Sequence, residues 1–122
     1  MITTPLPARD RLQRLTDALL EVHGALVASA RADFELENGP IGSSSEFLGL
    51  LTDHPAFAWL RPLSSFIAAI ESVPAEGELP GVSARARALF EPGSGPFADA
   101  YYSALQRAPE AVMAHARLRR VL

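Results

Sequence analysis

Cysteine and lysine are both absent from this chain of 122 residues, and histidine (3), methionine (2) and tryptophan (1) are scarce. Without cysteine there is no disulfide scaffold, no thiolate zinc site and no cysteine nucleophile. Without lysine all eleven basic residues are arginine, a usage better explained by genomic base composition than by chemistry; fourteen acidic residues leave a net charge of −3. An evenly mixed, slightly negative chain has no broad basic footprint for phosphate backbones, so no nucleic-acid partner is predicted. The apolar stretches are interrupted by Arg61, Pro62 and serines well short of a membrane-spanning length, and no membrane association is expected. The opening "MITTPLPARDRLQRL" has no basic segment followed by an apolar run, so a cytoplasmic location is expected.

What the chain does have is apolar content, 48% against 20% charged residues, the balance of a folded globular protein. Its length suits one helical domain over residues 1–122 that buries its own core. From about Leu6 to Asn38, apolar residues fall at Leu12, Leu15, Leu19, Val22, Leu26, Ala30 and Phe34, the three-and-four spacing of an amphipathic helix. Thr4 before Pro5 predicts the start and "ENGP" the stop. Such a helix is about 45 Å long, more than the roughly 35 Å width of a compact domain this size. It should leave part of its apolar stripe uncovered and favour a two-fold homodimer, unless Gly24 breaks it.

The remaining segments are shorter. Ser43 and Glu46 form an S-x-x-E capping box ahead of Phe47, Leu48, Leu50 and Leu51. Asp53 is the next predicted cap, with Pro55 behind it. Leu63, Phe66, Ile67 and Ile70 mark a core-facing helix, and "VPAEGELPGV" is a predicted loop. Ser83 is expected to cap a short helix from Ala84 to Phe90. Phe97, Tyr101 and Leu105 share one side of the next helix, which Pro109 should end or kink, and Glu110 behind it suits the start of a last helix carrying Ala111, Ala114, Leu118 and Val121. No period-two alternation occurs. The fold class expected is all-α: a single-domain bundle of five or six helices with a long N-terminal helix and a proline-broken central helix.

The densest stretch is "DHPAFAWLRPLS", Asp53 to Ser64. Pro62 should break or bend the helix between Leu60 and Leu63 and disfavour α conformation at Arg61. Arg61 is then suited to tie down carbonyls at the broken end, or alternatively to clamp a ligand carboxylate or phosphate. Trp59 beside Phe57 reads as core, with a stacking platform as the alternative. Together with "YYSALQRAPEAVMAHARLRRVL", this stretch resembles a group of small bacterial all-α proteins of unknown function with a D-P-x-F-A-W-L-R-P-L-S-like motif. His54, between Asp53 and Pro55, departs from that motif. The resemblance implies a helical fold and transfers no catalytic residue.

Motifs for chemistry are missing. His23, His54 and His115 lie in separate segments, and the Glu-x-x-His spacing of helical di-metal sites is absent, so no metal and no cofactor is predicted. H-E-x-x-H, G-x-S-x-G, G-x-G-x-x-G and the P-loop are absent too, and no enzyme activity is predicted. A histidine-based enzyme would need two of the three histidines to converge beside an acid. The arginines of "HARLRRVL" suit a helix C-terminus, with a nucleic-acid or acidic-partner contact as the alternative. Two functional expectations remain: a protein acting through protein–protein contact as a homo-oligomer, or a helical small-molecule or cofactor binder with a pocket near Trp59 and Arg61, with Phe57 beside them.

Overall fold

A computed structural model describes residues 8–71 and 79–122, the side chains of residues 8, 9, 71, 79 and 80 excepted. The chain is all-α, with six α-helices and no strand among the described residues: α1 (Ala8–Asn38), α2 (Ser44–Asp53), α3 (Arg61–Glu71), α4 (Leu79–Leu89), α5 (Pro96–Leu105) and α6 (Pro109–Val121), with a 3-10 turn, Pro55–Leu60, between α2 and α3.

Helix α1 is the spine. Its 31 residues run unbroken through Gly24 and stop where the sequence predicts. Gly39 takes a left-handed φ of 84° and donates its N–H to the Glu35 carbonyl at 2.9 Å, the usual glycine exit from a helix. The predicted cap at Thr4 lies outside the described residues. Helices α3, α4, α5, α6 and the 3-10 turn all pack along α1. The α6 helix runs antiparallel to it, tied by the ion pair of Arg117 with Glu21 and, just ahead of its first residue, by that of Arg107 with Asp33.

That arrangement changes the expectation of an uncovered stripe. Leu12, Leu15, Leu26 and Ala30 are all buried within the one chain. The width estimate assumed a rounded domain, whereas α6 lies antiparallel along α1 and the other elements cover more of its face. Phe34, near the far end, is half-buried against Phe57 and His54.

Helix starts follow local chemistry, with two corrections. The Ser43 hydroxyl accepts from the Glu46 N–H at 3.1 Å as predicted, while the Glu46 carboxylate reaches one residue further out, to the N–H of Gly42. Asp53 is not the next cap: α2 runs one residue longer and absorbs it, and His54 caps the 3-10 turn through Nδ1, which accepts from the Ala56 N–H at 3.0 Å. Nor does Ser83 start α4, which already begins at Leu79, inside the segment predicted as loop. Pro80 falls in its first turn, where a missing N–H has no helical partner to lose.

The proline corner also differs in detail. The change from 3-10 to α geometry comes at Leu60 and Arg61, and Arg61 is itself α-helical (φ −60°, ψ −39°) despite the proline that follows. Pro62 sits in the first turn of α3 rather than in a gap between helices.

Candidate functional site

The 3-10 turn decides what is presented here. With three residues per turn, positions i and i+3 line up on one side, so Phe57 and Leu60 are both buried while Trp59 is turned away and half-exposed. Trp59 forms one wall of an open groove of about 1000 Å³ between the 3-10 turn and α3 on one side and α4 and the start of α5 on the other. Its apolar lining includes Pro62, Phe66, Leu89, Pro96 and Phe97; the hydroxyls of Ser65 and Ser94 and the guanidinium of Arg85 supply polar groups. On its other side Trp59 borders a smaller concavity with Ala30, Phe34 and His54, near the Arg107–Asp33 ion pair.

Behind the groove the aromatic contacts continue inward. The Trp59 and Phe97 rings lie 6.2 Å apart, Phe97 stacks on Tyr101 at 5.8 Å, and Phe90 meets Tyr101 edge-on at 4.9 Å. Tyr101 is fully buried, and its hydroxyl lies 2.6 Å from Nδ1 of His115 on α6. Burial holds the Tyr101 phenol above its ordinary range, so it stays protonated, and the imidazole tautomer sets which of the two groups donates. Burial and then the Arg119 charge push His115 below its ordinary value of 6.5. Next door, the Tyr102 hydroxyl donates to the Phe90 carbonyl at 2.6 Å.

Of the three binding residues read from the sequence, the structure brings only Trp59 to the groove. Phe57 is fully buried in the core. Arg61 is exposed and its Nη2 donates to the Thr52 carbonyl at 2.7 Å, in the last turn of α2. It therefore ties down helix-end carbonyls, though those of the preceding helix rather than those at the proline. Phe66 and Phe97 read as core from periodicity, and neither Leu89 nor Arg85 stands out in the sequence; Leu89 and Phe97 lie on either side of the chain-breaking "EPGSGP".

The histidines do not converge. His23 Nε2 lies 2.7 Å from the Ser64 hydroxyl, which is also 3.2 Å from the Leu60 carbonyl. If the hydroxyl gives its proton to Leu60, the imidazole must donate to Ser64, the reverse of nucleophile activation. The pair fastens α1 to α3. His54 is a cap, and His115 belongs to Tyr101. Among the described residues no three histidine or acidic side chains cluster as metal ligands. Of the C-terminal arginines, Arg117 pairs with Glu21, and Arg119 borders a small concavity with Tyr102 and His115.

Comparison with family models, with curated proteins and with solved structures finds no match to this chain.

Proposed function

We propose that this chain is a small binding protein that receives an apolar guest in the groove walled by Trp59. The observation that carries the reading is the groove itself. An open, mostly apolar concavity of this size, with a few polar groups and the chain's one tryptophan in its wall, has the composition of a ligand site. Contacts with other proteins through the same face fall within the reading, and a cysteine-free chain suits a reducing compartment such as the cytoplasm. Among the described residues no helix is long and apolar enough to cross a membrane.

The test is native mass spectrometry on protein isolated from its own host. A small co-purifying mass is expected, lost in Ala88→Glu, which places a charge in the groove at an exposed position of α4. Guest-free wild-type protein, whose Trp59 emission ignores every apolar compound offered, would remove the reading.

A second observation favours self-association. Helix α2 carries Phe47, Leu48, Leu50 and Leu51 in ten residues; Phe47, Leu50 and Leu51 pack half-buried on the core, while the outer face presents Leu48, 65% exposed. A second copy of the chain covering that face is the homodimer expected from the sequence, with α2 in place of α1 as its contact. Light scattering across the micromolar range checks it: a dimer mass in the wild type and a monomer in Leu48→Glu are expected, and a wild-type monomer throughout rejects it.

A further inference from the structure

The groove carries one charge. Among the described residues that line it, Arg85 is the only ionisable side chain, on the α4 wall and exposed. Among the described residues its one hydrogen bond is a long 3.4 Å contact from Nε to the Gly81 carbonyl, and it pairs with no carboxylate there. The start of α5 adds to the same sign. Gly95 provides no capping side chain there, and Gly95, Pro96, Phe97 and Ala98 of that helix start line the groove. Asp99, the acid of that turn, lines a separate concavity with Pro92 and Tyr102.

An apolar trough with a single cation at its edge complements a molecule with an apolar body and one anionic head. We propose that the guest is a single-chain amphiphile with an anionic head, an acyl carboxylate, whose chain lies against Trp59, Phe66, Leu89 and Phe97 and whose carboxylate meets Arg85. This rests on the reading of the groove as a binding site and adds the chemical class of its ligand. An extended peptide fits less well, because its backbone donors and acceptors would face a wall with few polar groups to meet them. A partner helix satisfies its own backbone, but it has no requirement for a lone cation.

Trp59 is the only tryptophan, so its emission reports on the groove and on the concavity it shares with Phe34 and His54, and the Arg85 variant tells the two apart. The full chain is titrated with decanoate, below its micellar range, and with 1-decanol, in the wild type and in Arg85→Gln. Decanoate is expected to shift the Trp59 emission, and Arg85→Gln to weaken it about fivefold, the upper size of one partly exposed charge pair, while decanol binding stays unchanged. Added salt should weaken decanoate alone. Equal binding of decanoate by wild type and Arg85→Gln would overturn the anionic class and leave the groove reading standing. So would equal weakening of acid and alcohol, which would mean that Arg85 acts through shape. Silence of Trp59 toward both compounds overturns the groove reading and the ligand class together.

Discussion

Arg61 reaches back nine residues to hold the Thr52 carbonyl, joining the first residue of α3 to the last turn of α2 across the 3-10 turn. Both residues are exposed, so losing the bond returns the carbonyl to water rather than stranding it. Arg61→Ala is expected to lower stability by no more than about 1 kcal/mol, the range for an exposed hydrogen bond. Chemical denaturation measures it; a loss of several kcal/mol would mean that Arg61 holds more than this carbonyl.

Phe57 and Trp59, two residues apart, should separate cleanly. Phe57 is fully buried, and Phe57→Ala is expected to cost about 3–5 kcal/mol, a large share of the stability of an ordinary domain. Trp59→Phe keeps an aromatic wall on the groove and should leave the thermal midpoint nearly unchanged. Similar losses in both variants would place Trp59 in the core.

Two glycines should respond with opposite sign. Gly24 lies inside α1 with open space where a Cβ would stand, so Gly24→Ala is expected to stabilise by about 0.5–1 kcal/mol through helix propensity. Gly39 also has open space, but its φ of 84° suits only glycine, and Gly39→Ala should destabilise by about 1–2 kcal/mol. Equilibrium unfolding of the two variants side by side checks both signs.

Stability should fall as the medium turns acidic. Burial lowers the imidazoles of His23 and His115 below their ordinary 6.5, so the folded state favours them neutral. Above that pH both states carry neutral imidazole and the full stability is present. Below it the unfolded chain takes up protons first, and stability is lost as pH falls toward the folded-state values. His115→Gln should flatten part of the decline below the ordinary imidazole value of 6.5. An identical profile in the variant would show that His115 does not contribute to it.

Much of this architecture is legible in the sequence because its signals are local. The stripe from Leu12 to Phe34, the Ser43–Glu46 box and the exit at Gly39 each depend on spacing or on one residue's conformational range. Where two local signals compete, the prediction slips. Asp53 and His54 can both cap ahead of Pro55, and the extra residue of α2 settles it for His54. Pro80 and Gly81 read as loop, although a first-turn proline is compatible with the helix that α4 becomes. The groove was the least legible, because it depends on the 3-10 turn. A period of 3.6 groups Trp59 with its apolar neighbours, whereas a period of three turns it outward and gives the groove its wall.

The ion pair of Arg117 with Glu21 joins residues 96 positions apart, and the Arg107–Asp33 pair spans 74. During synthesis, therefore, α1 emerges long before the helix that lies along it. Until α6 arrives, part of the leucine-rich face of α1 stays wet, and closing so long a loop carries its entropic cost late. Ribosome-bound chains halted before residue 109 should remain protease-sensitive through α1, and protection should appear in one step once α6 has cleared the exit tunnel.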